Sequence, residues 1–151
     1  MNVISDAKLN LERDLKNLIA GEWVDSKEKI EVSNPYTNEI VGTVPRMGLD
    51  QVKEAIDALY EYEPTLTAYE RSEILKGTAD EITSRKDELA YGISLESGMS
   101  IKDSTKEVGR GVNLINVAAE EAKRIMGEQL PSDVDASGAD KIILAMRFPV
   151  G

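Results

Sequence analysis

The side chains that most often carry out catalysis are missing from this sequence. Its 151 residues include no histidine and no cysteine. That excludes Ser–His and Cys–His nucleophilic pairs, zinc knuckles and a disulfide framework. What remains is acids and glycines at helical spacing. The adjacent pair Glu120-Glu121 could suggest acid–base work, but neighbours on a helix point about 100° apart, so the pair reads as a solvated surface. Gly109 and Gly111 lie inside a helical pattern, where each costs up to about 1 kcal/mol relative to Ala. They read as glycines that permit close packing; the alternative is a ligand approaching bare backbone. No G-x-G-x-x-G, P-loop, H-E-x-x-H or EF-hand pattern is present.

Composition narrows the partners. With 18 basic and 28 acidic residues the net charge is −10, so a nucleic acid would be repelled at long range. The charges are interspersed rather than blocked, as on a solubilising surface. Hydrophobic content of 41% with 30% charged residues fits one soluble globular domain with a real core. The first residues show no basic-then-apolar leader pattern, and no apolar run approaches the roughly 20 residues that cross a bilayer. A cytoplasmic protein that binds no membrane is the expectation.

The elements that must position any site follow from periodicity. Residues 5–17 read as a short, weakly amphipathic helix. From Leu18 to Val44 short apolar runs alternate with Asp25-Ser26, Asn34-Pro35 and Pro45, which predicts two or three strands separated by turns. From Leu49 the period becomes helical. Asp50 is expected to cap a helix bearing Val52, Ala55, Ile56 and Leu59, stopped before Pro64. Thr67-Ala68-Tyr69-Glu70 spells a capping box for a second helix carrying Ile74, Leu75, Ala79 and Ile82. A third runs from about Lys86 to Ser97 with Leu89, Ala90 and Ile93, ended by Gly98. The fourth starts at Ser100 through Asp103 and carries Val108, Val112, Ile115, Ala119, Ala122 and Met126 within about 80° of one another, with Gly127 as its stop. Leu114 and Val117 fall on its opposite side near Arg110 and Glu121, which predicts a helix covered on both sides. Residues 128–140 read as a loop, and Ile142–Met146 as a buried strand.

Several segments together carry a resemblance. Ile19-Ala20-Gly21-Glu22-Trp23 looks like the opening strand of the aldehyde dehydrogenase superfamily. Asn34-Pro35-Tyr36-Thr37-Asn38-Glu39-Ile40-Val41-Gly42-Thr43-Val44 resembles its N-P-x-T-x-E-x-[IV]-G-x-V segment. Arg71 with Ile74-Leu75, Glu88-Leu89-Ala90, the L-E-[ST]-G turn Leu95-Glu96-Ser97-Gly98, Lys102, Glu107-Val108 and the closing Arg147-x-Pro149-x-Gly151 agree in order and spacing. The match covers about residues 18–151.

The resemblance implies an α/β fold: short early strands, about four amphipathic helices and a final strand of an oligomerisation arm. It divides the chain into an N-terminal extension (1–17), the N-terminal part of a nucleotide-binding domain (18–127) and the start of the arm (128–151). It implies an NAD- or NADP-dependent oxidation of an aldehyde to an acid, in a homo-oligomer. In the family the catalytic Asn loop, the nucleotide-binding strands, the Glu base and the Cys nucleophile come after the R-x-P-x-G segment. The chain given therefore holds no catalytic residue by this reading, and neither NAD nor NADP is expected to bind it tightly. Glu107-Val108-Gly109-Arg110 with Ile115 and Ala118-Ala119-Glu120-Glu121 resembles the helix of members acting on short anionic aldehydes. The nearest in feel are phosphonoacetaldehyde, lactaldehyde and non-phosphorylating glyceraldehyde-3-phosphate dehydrogenases. Arg110 is then the substrate-binding residue, its planar donor fork suited to phosphate, phosphonate or carboxylate. The alternative for Arg110 is an ion pair with Glu107 or Glu121. The alternative for the whole chain is a non-catalytic helical interaction or assembly module.

Overall fold

The computed structural model describes residues 14–148, and its first part is two antiparallel hairpins. Strand β1 (Asn17–Ile19) pairs with β2 (Glu22–Val24). Ala20 and Gly21 between them both take positive φ, as a two-residue turn matched to strand twist requires. Strand β3 (Lys29–Ser33) pairs with β4 (Ile40–Pro45), with a register irregularity at Val32/Ser33. Their connection explains the N-P-x-T-x-E spelling. Asn34 Oδ1 accepts from the N–H groups of Tyr36 and Thr37 at 2.9 and 3.0 Å, and Thr37 Oγ1 accepts from the Glu39 N–H at 3.3 Å. The Asn side chain thus stands in for a backbone carbonyl, and Pro35 presets its own φ. Two expectations change here. There are four early strands rather than two or three. Residues 14–17 are extended rather than helical, with Asp14 bridging Thr43 and Asn17 opening β1; the rest of the expected 5–17 helix lies outside the described residues.

Helix α1 (Leu49–Tyr60) is capped at Gly48, not by Asp50, which sits in the first turn. Gln51 Oε1 accepts from the Gly48 N–H at 3.0 Å. Helix α2 (Ala68–Ser84) opens with the expected capping box: Thr67 Oγ1 accepts from the Glu70 N–H at 3.2 Å, and Glu70 Oε2 from the Thr67 N–H at 2.8 Å. Helix α3 (Lys86–Ser97) has the bounds that its sequence suggests, and Gly98 follows in the left-handed region at φ +71°. The Gly98 N–H donates to the Ser94 carbonyl at 3.0 Å. Helix α4 (Ile101–Glu121) starts at Ser100, whose hydroxyl accepts from the Asp103 N–H at 3.3 Å.

The core lies where α4 packs on α2 and α3. It is made of small side chains: Ala79, Ala90, Val108, Ala119 and Ala122, with Ser72, Ser104 and Gly92 also buried. Small residues on all three helices let the backbones approach closely, as dense packing requires. Ile74, expected on the covered face of α2, is exposed.

Helix α4 stops at Glu121, five residues before its sequence suggests, and Met126 is exposed. Arg71 meets this end of the helix. Its Nη2 donates to the Ala122 carbonyl at 3.5 Å while its Nη1 donates to the Leu66 carbonyl at 2.7 Å. One guanidinium thereby clasps the end of α4 to the approach of α2. Gly127 is not the helix stop. A Cβ there would lie 2.1 Å from the Ala145 carbonyl oxygen, so glycine is required where two backbones meet. That meeting forms a third ribbon, β5 (Glu128–Leu130) against β6 (Ile143–Ala145). The segment 128–140 is therefore not all loop, and it also holds a 3-10 turn at Ala136–Gly138. The strand expected to be buried at Ile142–Met146 is shorter and exposed, because only β5 covers it among the described residues.

Candidate functional site

Helix α4 turns its small apolar residues inward, and this fixes what it turns outward. At 100° per residue, Asp103, Glu107, Arg110, Leu114 and Val117 fall within about 80° of one another, on the side away from buried Ser104, Val108 and Ala119. They line an open cleft of about 1220 Å³, together with Met99, Lys106, Gly109, Gly111 and Asn113. Leu114 and Val117 are exposed there, so the second face foreseen from the sequence exists but has no cover among the described residues.

The corner between α3 and α4 sets the direction of this helix. Gly98 stands against Pro35 of the β3–β4 turn, where a Cβ would come within 2.9 Å of Pro35 Cγ. Met99 follows at the mouth of the cleft, and its carbonyl accepts from the Ser94 hydroxyl at 2.7 Å. Two motifs some 60 residues apart in the chain thus interlock, N-P-x-T in the turn and L-E-S-G at the corner.

Along the cleft each cation is tied to an acid one turn earlier. Lys106 Nζ lies 3.0 Å from Asp103 Oδ1, and Arg110 pairs with Glu107. The Ser100 hydroxyl and then the Lys106 ammonium hold the Asp103 carboxyl below its usual value. Glu107 is thus the carboxylate partner that Arg110 takes; Glu121 pairs instead with Arg124 at 3.1 Å. Arg110 stays mostly exposed, its side chain 72% accessible. A guanidinium has five N–H donors in a planar fork, and one carboxylate leaves several of them open to an external anion. Glu120, the other half of the acidic pair, meets Lys123 at 3.0 Å, and that ammonium holds its carboxyl low. This is the behaviour of a solvated surface.

Close packing does not account for the two glycines beside Arg110. Among the described residues outside their own stretch of helix, nothing lies within 4 Å of a Cβ added at Gly111, and only Lys86 Nζ, at 3.9 Å, faces one at Gly109. Met99, Lys106 and Asn113 escaped the sequence reading, although they follow the same three- and four-residue spacing as Arg110.

A nicotinamide dinucleotide has no fitting cradle among the described residues. The pairings are three two-stranded antiparallel ribbons, with no parallel strand–helix unit of the kind that presents a pyrophosphate to a helix N-terminus. The first turns of the four helices carry Asp50, Glu70, Asp87 with Glu88, and Asp103, which would repel one. Among these residues no group of three or more acids is placed to hold a metal ion, and no helix is long and apolar enough to cross a membrane.

Comparison with known proteins bears on this geometry. The model of the aldehyde dehydrogenase family matches residues 23–151. Mitochondrial succinate-semialdehyde dehydrogenase of Arabidopsis thaliana is 38% identical over 141 residues, covering 90% of this chain and 26% of that protein. The crystal structure of aldehyde dehydrogenase 21 from Physcomitrella patens, in complex with the reaction product succinate, superposes with a TM-score of 0.79 at 34% identity, over 84% of this chain and 27% of that one. NADP-dependent glyceraldehyde-3-phosphate dehydrogenase from Bacillus halodurans, complexed with NADP, gives 0.79 at 31% identity, over 91% and 30%. The chain spans about a quarter of the length of such relatives, in their N-terminal part.

Proposed function

The chain belongs to the aldehyde dehydrogenase family, and from that premise we propose that it is the N-terminal segment of an enzyme oxidising a short anionic aldehyde to the acid with NAD or NADP as hydride acceptor. The observation that carries the anionic part is Arg110, exposed on the cleft face of α4 with guanidinium donors left over from Glu107. Two of the proteins it resembles are named for a carboxylate-bearing and a phosphate-bearing aldehyde. A carboxylate, phosphonate or phosphate suits the same planar fork. Arg110 acts here by binding and orientation: it fixes the charged end of the substrate so that the aldehyde carbon points away from α4.

The reaction itself belongs to residues outside this chain. A sequence without cysteine has no thiolate to attack a carbonyl carbon, and the described residues offer no strand–helix cradle for the dinucleotide. The 151-residue chain alone is therefore inactive. In the assembled enzyme residues 18–127 belong to the nucleotide-binding domain, residues 128–151 begin an arm that joins subunits in a cytoplasmic homo-oligomer, and residues 1–17 are an extension. The bare apolar face of α1, with Val52, Ile56 and Leu59 exposed, is the one feature that favours the other reading, a non-catalytic interaction module.

Both are tested by reading the gene beyond codon 151 and expressing what is found. A frame that continues into a cysteine-bearing enzyme should reduce NAD or NADP with succinate semialdehyde, while the purified 151-residue protein gives no reduced nicotinamide above blank. Turnover by the short chain, or a stop codon at its end, would overturn the proposal.

A further inference from the structure

The cleft has one more cation at its edge. Lys86 is the first residue of α3, half-buried, and its Nζ reaches to 3.9 Å from the point where a Cβ on Gly109 would stand. Gly109 lines the cleft and precedes Arg110. This is a costly place for a lysine. A cation in the first turn of a helix opposes the positive end of its dipole. Among the described residues no carboxylate lies within ion-pair distance of it, since Glu88, two residues on, is taken by Arg85. Lys106 and Arg110 each have an acid one turn away; Lys86 has none. The lining itself is balanced, Lys106 and Arg110 against Asp103 and Glu107; Lys86, beside Gly109, is the cation with no carboxylate opposite it among the described residues.

We infer that Lys86 is a second anion-holding residue of this cleft, admitted by the missing side chain of Gly109, so that an oxyanion group of the substrate lies between Lys86 Nζ and the free donors of Arg110. The inference rests on the anion-holding reading of Arg110. It also gives Gly109 a role that packing does not: a side chain there would stand between the ammonium and the groove. The ligand class is a small oxyanion, carboxylate or phosphate, which presents two or more oxygens to two cations.

The test uses the full 151-residue chain, labelled with 15N and titrated with succinate or inorganic phosphate at constant ionic strength set by chloride. The amides of Gly109, Arg110 and Gly111 report occupancy. Lys86→Gln should weaken binding of both anions about two- to fivefold, the range of a partly exposed charge pair. Lys86→Arg should keep most of the affinity, and Arg110→Ala should lose more than Lys86→Gln does. Unchanged amide spectra outside α3 and α4 show that each variant is folded. If Arg110→Ala weakens binding and Lys86→Gln binds as the parent does, Lys86 is a packing residue and this inference is overturned while the Arg110 reading stands. If the parent chain shows no saturable shift at Gly109–Gly111, both fall together.

Discussion

Replacing Gly98 by alanine tests how the cleft is held in place. The residue sits at φ +71°, in the left-handed region where an L side chain costs about 1–2 kcal/mol. The added Cβ would also stand 2.9 Å from Pro35 Cγ. That neighbour is a ring closed on its own backbone and has no rotamer to swing away, so the turn or the corner must shift. Overpacking of this kind costs typically about 1–3 kcal/mol. The two effects together come to about 2–5 kcal/mol, a large part of the roughly 5–15 kcal/mol that holds a domain folded. Urea denaturation followed by circular dichroism should show a lower midpoint at unchanged slope. Pro35→Ala in the Gly98→Ala background should recover the steric part and leave the left-handed penalty, giving a coupling energy of about 1 kcal/mol or more. A Gly98→Ala midpoint within error of the parent would refute the interlock, and additive single effects would show that Pro35 and Gly98 do not meet.

Two further outcomes concern the helices around the cleft. Thr67→Ala should cost about 1 kcal/mol by removing the α2 cap. Its partner Glu70 is held below the usual carboxylate value by the Thr67 backbone N–H and then by its hydroxyl. A depressed folded-state pKa contributes stability above the unfolded value and loses it as pH falls through the folded one, so stability should decline below about pH 4.5, and less steeply in Glu70→Gln; equal slopes would contradict the cap. Ser72 is buried on α2 with no partner for its hydroxyl among the described residues. Ser72→Ala should therefore leave the melting temperature unchanged or raise it, by up to about 1 kcal/mol in stability, and a clear loss would mean that the hydroxyl is bonded after all.

What the sequence made legible was local. The capping box at Thr67, the bounds of α3 and its left-handed Gly98, and the turn at Asn34 are set by residues within a few positions of each other, and all are found where the spelling puts them. What it hid depends on distant parts of the chain. Helix-forming residues continue past Glu121, so the spelling does not mark the end of α4; there the Ala122 carbonyl is taken by Arg71, 51 residues away in the chain. Strand β5 is Glu-Gln-Leu, with no alternation to reveal it, and it exists because β6 pairs with it. The cleft was half visible. Leu114, Val117 and Arg110 show themselves as a second helical face, but the glycines beside Arg110 read as packing residues, because only the fold reveals how little of the described chain stands against them.

The most direct test of the account is the selectivity of Arg110→Ala in the full-length enzyme. If the guanidinium holds the substrate's anion, kcat/KM for succinate semialdehyde should fall about 10- to 150-fold, as for loss of a charge-assisted contact of roughly 1.5–3 kcal/mol. Propanal, which has no anionic group to hold, should be oxidised within about twofold of the parent rate, and Arg110→Lys should recover only part of the loss, since a point charge replaces a fork. An equal fall for both aldehydes, with a lowered melting temperature, would contradict the account and leave Arg110 as the partner of Glu107 alone.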